Sequence, residues 1–404
     1  MPEAHSVAIG FWVGAGSRDE SQERAGASHF LEHLLFKGTD ARSAAAIAEA
    51  IDEVGGDCNA FTTKEYTTFY IRLLAEHLPL GLDILSDIMW EPALRPSDVD
   101  AERSVILDEI LMHADEPAEL AGERWGEALF PEHPLGRDTL GDAETVSATT
   151  DSDIREFFDE QYRPGNIVVA VAGNCRHDEV AAAVEERFRG MGGGSRPRRS
   201  APRVPQVPLV VVSRPTEQAH LVLGVRSVSV HDDSRWAHAL LNHTLGGGFS
   251  SRLFQKIREE RGLAYSVGSE RAAYDDAGSL AIVVGTAPDY VDEVLQIAGE
   301  ELERLADQGV TDRELAVAKG NLRAELLLSG EDSGARMSRI GSSLLVRGEV
   351  LSVETILERV ESVGPAEVRD AAAAVAGVPR TLCAVGPFGE AAFDDVPGLV
   401  AAVD

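Results

Sequence analysis

At 404 residues, with 44% hydrophobic and 26% charged residues, the chain has the profile of a soluble globular protein of roughly two or three domains, not a disordered or fibrous one. Its 68 acidic against 37 basic residues give a formal charge of −31, which argues against nucleic acid as a partner because backbone binding needs clustered Lys and Arg. No apolar run approaches the ~20 residues of a membrane span, the N-terminus lacks the basic start and long apolar core of a secretory signal, and Cys58, Cys175 and Cys383 offer neither a disulfide framework nor a CxxC site, so a cytoplasmic protein without a membrane partner is expected.

The first strand is expected in "SVAIGFWVGAGS", and it leads into "GASHFLEHLLFKGTD", Gly26 to Asp40, where two histidines and a glutamate stand in an apolar helix. The next helix is "SAAAIAEAIDEVGG", with Ser43 as N-cap and Gly55 as its stop. Strands follow in "CNAFTTKEYTTFYIRLL", then a helix around "LPLGLDILSDIM". "SDVDAERSVILDEILMHADE" reads as a helix capped by Ser97, with Val99, Val105, Ile106 and Ile110 as its apolar stripe. "NIVVAVAGN" predicts a buried strand and "DEVAAAVEERFRGM" the helix after it.

The stretch "GMGGGSRPRRSAPRVPQVP", Gly190 to Pro208, is rich in Gly and Pro and carries no helical or strand period. Beyond it the plan repeats: strands "LVVVSR" and "AHLVLGVRSVSV", helices "SRWAHALLNHTLGGG" and "SRLFQKIREERG", strands "AYSVGSERAAYDDAGSLAIVVGT", and helix "VDEVLQIAGEELERL". The order predicts an α+β duplication, two homologous domains that each pack helices on a mostly antiparallel sheet. The expected division is residues 1–190, a linker at 191–208, and residues 209–404.

His29 and His33, four residues apart on a helix, lie on one face. There two imidazoles can chelate one Zn²⁺ at about 2.0–2.1 Å each. Glu32 can reach the open position of such an ion, where it would accept a proton from water. The pattern H-x-x-E-H is H-E-x-x-H reversed and belongs to the inverted zinc peptidases. Solvated or neighbour-satisfied side chains are the plainer alternative for all three residues. A third ligand is needed, and Glu109 is a candidate, with Glu102 two turns earlier on the same face as an acceptor that could orient a ligand.

With these residues the chain resembles the pitrilysin/insulinase family, and within it the short two-domain branch that includes the mitochondrial processing peptidase β subunit. In that family the ligand glutamate follows the H-x-x-E-H helix by about 76 residues, inside a segment of the form ER-x-x-IL-x-E. Here 76 positions separate His33 from Glu109, and "ERSVILDE" ends on it. "NAFTTKEYT", "HPLGRDTLG" and "YRPGNIVVAVAGN" match further family motifs, and "LGGGFSSRLFQKIREERGLAYSV" matches the segment carrying an Arg and a Tyr seven residues apart, here Arg258 and Tyr265. Family members also carry a strand of the type NGLRV ahead of "SVAIGFWV". Its absence from this sequence implies a shortened start or a weaker edge to the first sheet.

The resemblance implies a pitrilysin-like fold and one Zn²⁺ per chain held by His29, His33 and Glu109. It makes Glu32 the general base, with Arg258 and Tyr265 contacting substrate near the metal. A peptide or unfolded, presequence-like polypeptide would lie as an extra strand beside Asn59 and Ala60. It further implies a homodimer enclosing a chamber, or a heterodimer with a homologous subunit, in which the C-terminal domain of one protomer faces the zinc of the other. The competing expectation is a non-catalytic structural or peptide-holding subunit of the same family. A nucleotide-binding reading of "LGGGFSSRLF" fails because no G-K-[ST] follows the glycines.

Overall fold

β1 (Ser6–Val13) sends Val7, Ile9, Phe11 and Val13 into one apolar core and Ala8 and Trp12 into another. A strand covered on both faces needs apolar side chains at nearly every position, which "VAIGFWV" supplies. β1 pairs antiparallel with β3 (Thr67–Leu74), placing Phe11 opposite Phe69, and with β4 (Ile167–Gly173), placing Phe11 opposite Val169. β2 (Asp57–Thr62) adds to the far side of β3, so the sheet runs β2-β3-β1-β4. This computed structural model describes residues 1–393.

One face of the sheet is covered by α1 (Ala27–Leu35), α3 (Leu78–Trp90), α4 (Pro96–Asp115) and α7 (Asp151–Gln161). Phe30, Leu31, Leu34 and Leu35 of α1 pack there with Phe69, Ile71, Leu85, Ile88, Ile106 and Phe157. Burying each such side chain contributes about 1.5–3 kcal/mol, which anchors the back of α1 firmly. α2 (Ala44–Asp52) begins at Ser43, whose hydroxyl accepts the Ala46 N–H at 3.2 Å, and Gly55 follows its end at φ +62°. α6 (Ala143–Ala148) and α8 (His177–Arg187) complete the helices that this part of the chain contributes.

The opposite face is covered by α12 (Ser333–Arg347), through Met337 and Leu345. A Cβ on Gly10 would stand 2.4 Å from Met337 Sδ, and one on Gly341 would stand 2.2 Å from Trp12 Nε1. Glycine at these two positions lets the helix lie directly on the strands.

The second unit is built around β6 (Ala219–Ser227), antiparallel to β8 (Gly278–Thr286) and to β9 (Thr381–Gly386). β7 (Ala264–Ala273) lies beside β8, and β5 (Leu209–Ser213) runs parallel to β9, giving the order β5-β9-β6-β8-β7. α9 (Arg235–Leu245), α10 (Val291–Gln308) and α14 (Pro365–Ala376) fill the larger core, with α11 (Asp312–Ser329) and α13 (Val353–Ser362) adding Leu315, Ala318 and Val360. α5 (Pro117–Leu129) covers the other face, where Leu120, Trp125 and Leu129 meet Val222, Cys383 and Val385. The Trp125 Nε1 donates to the Thr381 carbonyl at 3.1 Å.

The chain therefore does not divide into contiguous halves at 1–190 and 209–404. One unit comprises residues 1–111, 137–199 and 327–350, and the other 112–136, 200–326 and the described residues from 351 onward. Each sheet takes the helix on its second face from the opposite half of the sequence. An amphipathic period marks which face of a helix is apolar but carries no information about which sheet receives it.

Other local differences have simple causes. α4 begins at Pro96, whose missing N–H suits the first helical turn, so Ser97 lies inside the helix and does not cap it. Val105 is 49% exposed and stands outside the apolar stripe of that helix. β4 is an edge strand with several half-buried residues, bordered by a cavity of 670 Å³, whereas its sequence predicts a buried strand. Within "SRLFQKIREERG", the segment Phe254–Glu259 is π-helical. No helix among the described residues is long and apolar enough to cross a membrane.

Candidate metal centre

α1 holds its apolar face against the sheet and turns His29 and His33 toward α4. The two rings lie 4.7 Å apart between centroids. Glu109 of α4 reaches between them: its Oε2 is 3.7 Å from His29 Nε2 and 3.7 Å from His33 Nε2. Donors held at about 2.0–2.2 Å around a tetrahedral ion would be separated by roughly 3.5 Å, and both carboxylate-to-imidazole spacings lie within a few tenths of an ångström of that value. Among the described residues, this is the one group of three His, Cys, Asp or Glu side chains whose donor atoms meet this closely, all within 4.8 Å of one another. Two imidazoles and a carboxylate suit a borderline ion such as Zn²⁺, and three protein ligands leave a position for water or substrate.

Glu102, two turns earlier on the same face of α4 and buried, places Oε2 3.0 Å from His33 Nδ1. A proton on Nδ1 donated to Glu102 orients the ring and leaves the Nε2 lone pair free to bind a metal. The other Glu102 oxygen receives Lys37 Nζ at 2.6 Å. Glu32 is held by β2, where the Thr62 hydroxyl donates to its Oε2 at 2.6 Å. Burial pushes the Glu32 carboxyl above its ordinary range, against the Thr62 hydrogen bond and the neighbouring His33.

Asn59 and Ala60 sit on β2, the edge strand on this side of the sheet, so the outer hydrogen-bonding edge of β2 has no partner strand in its sheet. The Asn59 side-chain Oδ1 accepts the Ala60 N–H at 2.8 Å. Arg258 and Tyr265 belong to the second unit, and the structure brings them together there. The Arg258 guanidinium lies between two rings, 4.8 Å from the centroid of Phe254 and 4.7 Å from that of Tyr265. Tyr265 is 78% exposed, and Phe249, edge-on to Phe254, is 81% exposed.

Comparison with known proteins agrees with this geometry. Residues 1–143 match the family model described as insulinase (peptidase family M16), and residues 149–322 match the model described as the peptidase M16 inactive domain. An "uncharacterized zinc protease" of Streptomyces coelicolor is 43% identical over 401 residues, covering 96% of this chain and 86% of the relative. One of Mycobacterium tuberculosis is 43% identical over 399 residues, covering 96% and 90%, and one of Bacillus subtilis is 35% identical over 394 residues, covering 96% and 95%.

The chain belongs to the insulinase (M16) peptidase family, in its short two-domain branch.

The solved structure described as a peptidase M16 inactive domain, from Pseudomonas fluorescens, superposes on this M16 chain with a TM-score of 0.88 at 21% identity, covering 96% and 94% of the two chains. A protease from Helicobacter pylori gives 0.86 at 20% identity and 94% coverage of each. Both confirm the fold. The converging His29, His33 and Glu109 fall within the part matched by the insulinase model, and Arg258 and Tyr265 within the part matched by the inactive-domain model.

Sequence reasoning missed Thr62 and Lys37. Thr62 lies in the quoted "NAFTTKEYT" motif, but no spacing rule links a strand hydroxyl to a glutamate 30 positions earlier. Lys37 stands one turn beyond His33, and its proximity to Glu102 could have been inferred from the charge pairing.

Proposed function

We propose that this chain is a zinc-dependent endopeptidase that hydrolyses peptides or unfolded polypeptides. The observation that supports it best is the convergence of His29, His33 and Glu109 beside Glu32, a residue of the same helix that α4 leaves free of the ligand set. A zinc ion held by the three ligands supplies a Lewis acid that activates water at neutral pH and polarises the scissile carbonyl. Glu32 takes the proton of the attacking water and returns it to the departing amine. Thr62 engages Glu32 Oε2 and so keeps Oε1 available for that transfer. Glu102 keeps the His33 ring in orientation throughout.

The substrate adds as a strand to the open edge of β2 beside Asn59 and Ala60, bound through its backbone and so tolerant of sequence. By the family resemblance, Arg258 and Tyr265 of the partner subunit supply the donors that oppose the developing negative charge in a homodimer. A heterodimer with a homologous subunit is the alternative arrangement. The acidic balance of the chain suits basic, presequence-like substrates. A cytoplasmic location accompanies this reading.

The test is chelator-sensitive cleavage of a quenched peptide, with zinc content measured in parallel and Glu32→Gln as control. The wild type should carry one zinc per chain and cleave, and the variant should carry zinc and not cleave. Equal cleavage by both chains would remove the proposal. Mixing Glu32→Gln with Tyr265→Phe chains should restore part of the activity, and no recovery in confirmed mixed dimers would contradict shared sites.

A second reading draws on the inactive-domain description of the model matching residues 149–322: a non-catalytic subunit that holds peptides. Peptide binding without cleavage by the zinc-loaded wild type would favour it.

A further inference from the structure

Glu20 lies nine residues ahead of His29, outside the H-x-x-E-H set, and no step of the proposed reaction uses it. It is 5% exposed, in the loop that enters α1. Its carboxylate spans the start of the helix: Oε2 accepts the Gly26 N–H at 2.8 Å, and Oε1 accepts the Ser28 N–H at 2.7 Å. The first N–H groups of an α-helix have no partner within the helix, and a residue at the N-cap usually supplies one from its side chain. Here the N-cap is Gly26, at φ +96°, where a Cβ would stand 2.6 Å from the Leu140 carbonyl. Ser or Asp cannot occupy that position without strain, so the cap comes from Glu20 instead. A carboxylate at this end also complements the helix dipole.

The loop that presents Glu20 is itself held at several points. Arg137 Nη2 donates to the Glu20 carbonyl at 2.7 Å and to the Ser17 carbonyl at 3.3 Å. Arg199 grips Asp19 with two hydrogen bonds, at 3.0 and 2.8 Å, and Arg18 pairs with Glu65 at 2.6 Å in the interior. From the other side, Gly141 closes on the helix start so tightly that a Cβ on it would meet the Ala25 carbonyl at 2.5 Å. The first turn of α1 is thus fixed between the Glu20 carboxylate and the Leu140–Gly141 backbone. His29 follows Ser28, one of the two residues whose N–H Glu20 holds.

We propose that Glu20 is a positioning residue of the metal centre: by clamping the first turn of α1 it sets the rotation of the helix and holds His29 at chelating distance from His33 and Glu109. The inference rests on the zinc reading above. Burial pushes the Glu20 carboxyl up to about 7, with the two backbone donors and Arg137 pulling the other way, so the residue is costly to keep inside unless its placement matters. The clamp also explains why "GSRDE" and "GRDTLG", distant in sequence, belong to one structural element at the foot of the metal helix.

The test uses the full chain. Zinc affinity is measured by competition with a chromophoric chelator, the ligand geometry by the visible absorption of the cobalt-substituted protein, and the melting temperature without metal by calorimetry. Glu20→Gln keeps one acceptor oxygen but sets an amide NH₂ against the second helix N–H. It should weaken zinc binding about tenfold or more, as loss of a residue that orients a ligand does, and alter the cobalt spectrum. Arg137→Gln, which loosens the loop and leaves the carboxylate in place, should weaken zinc about threefold and carries the test if Glu20→Gln does not fold. A merely structural cap would lower the metal-free melting temperature and leave the zinc dissociation constant and cobalt spectrum unchanged in both variants, which would overturn this inference and leave the peptidase reading intact. A wild type that binds no stoichiometric zinc would overturn both.

Discussion

α1 and α9 occupy the same place in the two units, each following the central strand of its sheet, and each carries two histidines in its sequence. In α1 they are four residues apart, stand on one face, and meet the carboxylate of Glu109. In α9, His238 and His243 are five apart, which sets them roughly 140° apart around the helix axis. The residue before the second histidine is Glu32 in α1 and Asn242 in α9. His238 is 3% exposed, and burial together with the Arg271 charge drives its imidazole down to about 4, so it stays neutral at pH 7. Two buried histidines on a helix are therefore not a metal site by themselves. The single-residue change in spacing and an acidic side chain arriving from another helix separate the proposed ligand pair from the structural one.

The largest expected effect falls on Glu32, the proposed acid–base residue, which has no counterpart in α9. Glu32→Gln should lower the rate of peptide cleavage by about 10²–10⁴-fold, the usual contribution of a positioned proton-transfer group, while zinc content stays at the wild-type level. Steady-state kinetics on the zinc-loaded chains measure this, and a loss below tenfold would mean that another group moves the proton. Glu102→Gln removes the carboxylate that contacts His33 Nδ1 and should weaken zinc about 10–100-fold without abolishing it. Chelator competition reads that change, and unchanged affinity would reduce the Glu102–His33 contact to a packing detail.

The α9 histidine gives a smaller effect, on stability. The pKa of His238 is lower in the folded chain than the ordinary 6.5, so the folded state binds its proton less readily than the unfolded state does. Its contribution is complete above pH 6.5 and is lost as pH falls toward 4. By linkage, the wild type should lose about 2–3 kcal/mol from this group between pH 7 and pH 4.5. Denaturant unfolding of the wild type and His238→Gln at both values should show the difference between them narrowing or reversing by that amount. A constant difference would show that the His238 environment changes less on folding than its burial implies.

Much of this was legible because it is local. The four-residue spacing of His29 and His33, the Ser43 cap and the apolar strand "VAIGFWV" each follow from the period of one element. Glu109 was a candidate on its own helix, but only the family pattern joined it to residues 76 positions earlier. The exchanged helices could not be read. The apolar faces of α5 and α12 fit either sheet as far as periodicity goes, and the choice lies in contacts such as Gly10 with Met337 and Trp125 with Val222 and Cys383. The Glu20 clamp was equally hidden, since a loop folding back on backbone N–H groups leaves no mark on residue type.

The most direct test of the contrast between the two helices is the zinc content of three metal-reconstituted chains, measured as moles of metal per mole of protein. Wild type and His243→Gln should each carry one zinc, and His33→Gln should carry none after dialysis against a weak chelator. Retention of zinc by His33→Gln, or its loss from a folded His243→Gln chain, would contradict the assignment of the metal to α1.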